Sequence, residues 1–126
     1  MSENGSRGPS VSKVLVLDDD NALLRLLRLT LTSEGFEVIT ASNGLEGLEK
    51  VDREPPDVIL LDLEMPVMDG RTFFRELRKQ GNNTPVLILS AYGARDAQRE
   101  LDADGSLEKP FDADVLMNEL KQLARV

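Results

Sequence analysis

The chain has 126 residues, 15 Lys and Arg against 23 Asp and Glu for a formal net charge of −8, and neither cysteine nor histidine. That length builds one domain with a core, and the acidic balance argues against a nucleic-acid surface, which needs clustered Lys and Arg. Without cysteine there are no disulfides or zinc–thiolate sites, which fits a reducing compartment; without histidine there is no imidazole acid–base catalysis, His-containing triad or imidazole metal site.

The start MSENGSRGPS is polar and does not read as a signal peptide, and no apolar run is long enough to span a bilayer. A flexible tail over residues 1–12, a domain over 13–126, a cytoplasmic location and no membrane partner are therefore expected. Lys13–Leu17 reads as a strand. A helix from Asp20 to about Glu34 follows, with Leu23, Leu26, Leu27 and Leu31 on one face and Gly35 as its stop. Phe36–Thr40 reads as a second strand and Leu45–Val51 as a short helix. After Pro55-Pro56 comes the strand Asp57–Leu61. Asp69 caps a helix running to about Gln80, closed by Gly81. Pro85–Leu89 is the fourth strand, Ala94–Leu101 a polar helix, and Ser106–Glu108 a weak fifth strand. Asp112 caps the last helix, with Val115, Leu116, Leu120 and Leu123 facing in. Five β/α units without hairpin signals predict an α/β fold, a doubly wound parallel sheet with helices on both faces.

The chemistry gathers at the carboxyl ends of these strands. Val58–Leu61 is apolar throughout, as in a strand buried on both faces, and leads into Asp62 and a Pro- and Gly-bearing loop. The first strand runs into Asp18-Asp19-Asp20, the fourth into Ser90-Ala91 and the fifth into Glu108-Lys109-Pro110. If the strands lie in the order 2-1-3-4-5, Asp18, Asp19 and Asp62 converge on one crevice, with Ser90 and Lys109 on its far rim. Two carboxylates about 4 Å apart repel by roughly 4 kcal/mol at an effective dielectric of 20. Three together call for a cation, and an all-oxygen set suits Mg²⁺. Asp62 is then a nucleophile toward a phosphoryl group, with Lys109 and Ser90 as donors to phosphoryl oxygens. Singly, each residue has a plainer use: Asp20, Asp69 and Asp112 as helix caps, Ser90 as a partner of backbone groups, Lys109 as a solvated charge. Their coincidence at strand ends is what points to a site.

These motifs together resemble the response-regulator receiver domains of two-component signalling. They are Asp18-Asp19 after Lys-Val-Leu-Val-Leu, Asp62 in Leu-Asp-Leu-Glu-Met-Pro-Val-Met-Asp-Gly, Ser90-Ala91, and Lys109-Pro110-Phe111. The resemblance covers about Lys13 to Val126 and implies a flavodoxin-like, chemotaxis-regulator-like sheet; the strand order used above belongs to that family and is not independent of it. It also implies Asp62 as phosphoacceptor, Mg²⁺ held by Asp18, Asp19, Asp62 and the Glu64 carbonyl, and a cis peptide bond before Pro110. The domain is then a switch rather than an enzyme in its own right. Its phosphoryl donor is a phosphohistidine on another protein, a sensor histidine kinase or phosphotransfer protein. Its output partner is expected on the fourth helix, fifth strand and fifth helix. With Arg125-Val126 following the last helix, a stand-alone or excised receiver is expected.

Two departures from the family stand out. The aromatic residue it commonly carries shortly before the lysine is replaced by Ser106, and the interval from Ser90 to Lys109 is about three residues short, so the fourth helix should be curtailed. Tyr92, the only tyrosine, offers another reporter of phosphorylation beside Ser90; its plainer reading is a surface aromatic packed on the shortened helix. Glu64 and Tyr92 flank the crevice, where Glu64 would influence the attack of water on an acyl phosphate. Two other readings remain. One is a degenerate receiver that binds partners without phosphorylation. The other is a haloacid-dehalogenase-like phosphatase with Asp18 as nucleophile, a reading that gives Asp62 no role.

Overall fold

The computed structural model describes residues 12–124; the remainder of the expected tail and Arg125-Val126 lie outside the described residues. Five strands alternate with five helices: β1 Lys13–Leu17, α1 Asn21–Ser33, β2 Glu37–Ala41, α2 Gly44–Arg53, β3 Val58–Asp62, α3 Gly70–Lys79, β4 Val86–Ser90, α4 Ala94–Leu101, β5 Gly105–Glu108 and α5 Ala113–Ala124. All strand pairs are parallel and the sheet order is β2-β1-β3-β4-β5. This is the expected doubly wound α/β sheet.

The apolar run of β3 has the cause assigned to it. Val58, Ile59, Leu60 and Leu61 are each 0% exposed because both sheet faces are covered. Val14, Val16, Val58, Leu60, Leu87 and Leu89 point to the layer of α1 and α5. Leu15, Leu17, Ile59, Leu61, Val86 and Ile88 point to α2, α3 and α4. The strand period of two thus divides one sheet between two cores.

Two helix faces differ from the expectation. On α1 the buried residues are Leu24, Leu27 and Leu31, while Leu26 is exposed. Leu26 is adjacent to Leu27 and so about 100° round the helix, on the side away from Leu24. On α5, Leu116, Met117 and Leu120 are buried and Val115 is exposed for the same reason. Three strands also begin and end one residue later than expected, so β3 includes Asp62 and β4 includes Ser90. α2 is longer than expected at 10 residues. α4 has 8 residues, the shortest of the helices, which is the expected curtailment. The peptide bond before Pro110 is cis.

Caps hold the helix starts near the carboxyl edge of the sheet. Asp20 accepts from the amides of Ala22 at 3.0 Å and Leu23 at 3.2 Å, and Asp69 from that of Thr72 at 2.8 Å. The loop between β3 and α3 closes tightly. The Gly70 amide donates to the Leu63 carbonyl at 2.9 Å. A Cβ at Gly70 would run into the Asp62 carbonyl oxygen and lie 2.8 Å from Leu63 Cα. Gly70→Ala should therefore lower unfolding free energy by about 2 kcal/mol, read as a lower urea midpoint. An unshifted midpoint would show that α3 can move off the strand end without cost.

In the same loop the Met68 amide donates to the Pro66 carbonyl at 2.7 Å, and Val67 between them has φ +67°. A β-branched residue in that conformation is strained by about 1–3 kcal/mol. Val67 is 78% exposed and has little packing to lose. Val67→Gly should raise stability by about 1 kcal/mol; a lower urea midpoint would contradict this.

Candidate functional site

The register of the sheet assembles the site. Leu17 pairs with Leu61, so Asp18 continues β1 beside Asp62 at the end of β3. The Asp18 amide is anchored by the Ala41 carbonyl at 3.1 Å. Ser90 pairs with Glu108, and the Lys109 amide donates to the Ser90 carbonyl at 2.8 Å. Side chains from strands distant in sequence thus reach one edge. They line a crevice of about 860 Å³ that includes Asp18, Asp19, Asp62, Glu64, Ser90 and Lys109.

Lys109 is not on the far rim. Its ammonium donates to Asp18 Oδ2 at 2.7 Å and to Asp62 Oδ1 at 3.3 Å. Burial works against its charge, but the Asp18 hydrogen bond and the two carboxylates outweigh that and hold its pKa above the usual lysine value. Asp18 is 2% exposed with both oxygens engaged, Oδ2 by Lys109 and Oδ1 by the Asp20 amide at 3.0 Å. Asp62 is 7% exposed. Among the described residues its Oδ1 accepts from Lys109, and no hydrogen bond reaches its Oδ2. Burial and the charge of Asp18 push the Asp62 carboxyl up from 3.8 to about 6, against the pull of Lys109.

Asp18, Asp19 and Asp62 each offer a carboxylate oxygen, all within 4.8 Å of one another, so these residues could hold a metal ion. The donor set is oxygen alone, which fits a hard divalent cation. Glu64 is exposed and lines the same crevice.

Ser90 is 6% exposed, and its hydroxyl donates to the Tyr92 carbonyl at 2.8 Å. The plainer use of a serine after a strand is thus what the structure shows for that hydroxyl. Tyr92 is 87% exposed, so it is not packed on α4, and it lines the mouth of the crevice. Ser106 lies away from the crevice and donates to Gln98 Oε1 at 2.7 Å, tying β5 to α4. A smaller cleft of about 470 Å³ runs beside it, between Gly93–Asp96 and Ser106–Glu108. One lining residue was not anticipated. Arg71, in the first turn of α3, reaches the crevice. Its signal in the sequence is a cation directly after a helix-starting glycine, where the helix dipole disfavours positive charge.

Comparisons with known proteins identify the family and the fold. The Response regulator receiver domain model matches residues 14–121. The transcriptional regulatory protein GlrR of Escherichia coli K12 is 43% identical over 106 residues, which cover 82% of this chain and 24% of GlrR. Sporulation initiation phosphotransferase F of Bacillus subtilis is 35% identical over 113 residues, covering 87% of this chain and 91% of that protein. Among solved structures, the receiver domain of Francisella response regulator 1452 has a TM-score of 0.84 at 35% identity, covering 90% of this chain and 97% of that one. The chain belongs to the response regulator receiver domain family and is a signalling domain of two-component systems. It spans only 24% to 52% of the length of several transcriptional regulators that it matches. No helix among the described residues is long and apolar enough to cross a membrane.

The raised Asp62 pKa has a consequence for stability. A carboxyl with a folded pKa above its unfolded value takes up protons on folding. Its contribution is complete below about pH 4 and is lost as pH rises through about 6. In metal-free buffer at pH 7.5, Asp62→Asn should stabilise the fold by about 2 kcal/mol, and the gain should vanish toward pH 4. A pH-independent gain, or none, in urea titrations would contradict the charge origin of the shift.

Proposed function

We propose that this domain is a phosphorylation-dependent switch that accepts a phosphoryl group on Asp62 from a phosphohistidine of a partner sensor kinase or phosphotransfer protein. The observation that carries the reading is the contrast between the two buried carboxylates. Both oxygens of Asp18 are engaged, whereas Asp62 keeps Oδ2 without a hydrogen-bond partner among the described residues. That contrast also disfavours Asp18 as a nucleophile of the phosphatase type. An intact set of acids with Lys109 in contact disfavours a module that has given up phosphorylation.

In the transfer, an Asp62 oxygen forms a bond to phosphorus as the bond from phosphorus to the donor's imidazole nitrogen breaks. The electron pair leaves with the imidazole, which takes a proton from solvent. Mg²⁺, held by Asp18, Asp19, Asp62 and the Glu64 carbonyl, would supply charge neutralisation at the phosphoryl oxygens. Lys109 already touches Asp62 and needs little movement to meet a phosphoryl oxygen. Ser90 must turn its hydroxyl away from the Tyr92 carbonyl to do the same. That turn frees the segment leading into α4, whose start at Gly93 has no side-chain cap. The new charge of about −1.5 to −2 would in this way bias the loop before α4. With Ser106 in place of an aromatic residue, the loop at Ser90–Tyr92 carries the change to α4, β5 and α5, the surface proposed for the output partner.

Incubation with acetyl phosphate and Mg²⁺ should add the mass of one phosphoryl group to the wild-type chain and to Asp18→Asn at a reduced rate, and none to Asp62→Asn. Label on Asp62→Asn that is lost in Asp18→Asn would favour the phosphatase reading. Absence of label on the wild type would favour the interaction module.

A further inference from the structure

The crevice is an unwelcoming place for an anion. Six carboxylates line it, those of Asp18, Asp19, Asp20, Asp62, Glu64 and Asp69, against the two cations Arg71 and Lys109. Lys109 is committed to Asp18 and Asp62 at the floor. The second cation is Arg71, and its guanidinium is held by Glu100 of α4 at 2.7 Å. That pair is partly solvated, with side-chain exposures of 37% and 54%, the kind of pair that contributes little to stability. Glu100 has a second partner, Arg75 at 3.5 Å, and would not be stranded if Arg71 left it. The placement of Arg71 in the first turn of α3 runs against the helix dipole, which the capping carboxylate of Asp69 offsets in part.

Resting on the reading of Asp62 as acceptor, we infer that Arg71 is the receiving residue for the phosphoryl donor. Its guanidinium exchanges Glu100 for oxygens of the donor's phosphoryl group at the mouth of the crevice, before transfer. A planar fork with several donors matches a phosphoryl group better than a point charge does. The exchange makes and breaks only hydrogen bonds and ion pairs. Glu100 is then a competitor that sets how readily Arg71 is released.

The test is the second-order rate of labelling by acetyl phosphate with Mg²⁺ at low donor concentration, followed by intact mass. Arg71→Ala should slow labelling roughly five-fold, the effect of losing one partly solvated charge contact, and should flatten the dependence on salt. Arg71→Lys should recover part of the rate. Glu100→Gln leaves Arg71 in place and removes its competitor, so it should speed labelling; in the Arg71→Ala background it should do nothing. A role confined to tying α3 to α4 predicts no gain from Glu100→Gln. Unchanged labelling in Arg71→Ala overturns the inference, as does an equal Glu100→Gln effect with and without Arg71. In both cases a wild type that takes label while Asp62→Asn takes none leaves Asp62 as acceptor; a wild type that takes no label overturns both.

Discussion

The structure depends on one contact, the Lys109 ammonium between Asp18 and Asp62. Two buried carboxylates beside an exposed third would otherwise repel by several kcal/mol at these separations. Burial first, and then the charge of Asp18, still hold the Asp62 carboxyl at about 6 against the pull of Lys109. The site is therefore held in a state where further positive charge is welcome and further negative charge is not. The proposed uptake of a phosphoryl group would need a compensating cation, and the grouped carboxylates could hold one.

Everything around that contact serves to bring it together. Parallel pairing sets Asp18 beside Asp62, and the Lys109 amide continues the ladder from Ser90. The two apolar layers bury β3 on both sides and fix the position of its last residue. Gly70 lets α3 start directly against the end of that strand. By contrast, the segment from Ser90 to α4 is held by the Ser90 hydroxyl, which donates to the Tyr92 carbonyl and accepts from its amide, and by a helix start with no side-chain cap. Rigid support under Asp62 beside a lightly held loop is the combination a switch requires.

Much of this was legible in the sequence. The buried run of β3, the caps Asp20, Asp69 and Asp112 and the strand-end placement of Asp18, Asp62, Ser90 and Lys109 follow from local patterns, and the short α4 from the resemblance to the receiver family. What was misjudged depends on angle and distance. Leu26 and Val115 satisfy an apolar tally and yet lie about 100° off the buried stripe. Lys109 was expected on a rim, but a flexible side chain reaches the floor, drawn by two carboxylates that the fold alone brings together. Arg71 was passed over because its partner Glu100 is 29 residues away, and no helical or strand period connects them.

The central claim is that Asp62 receives the phosphoryl group and that Lys109 and the Ser90–Tyr92 loop respond to it. Backbone amide NMR spectra recorded before and after adding beryllofluoride with Mg²⁺ test this directly. Large shifts are expected at Asp62, Ser90–Gly93 and Lys109, with β2 and the far ends of the strands little changed, and none of them in Asp62→Asn. Shifts that persist in Asp62→Asn, or a wild-type spectrum that does not respond, would contradict it.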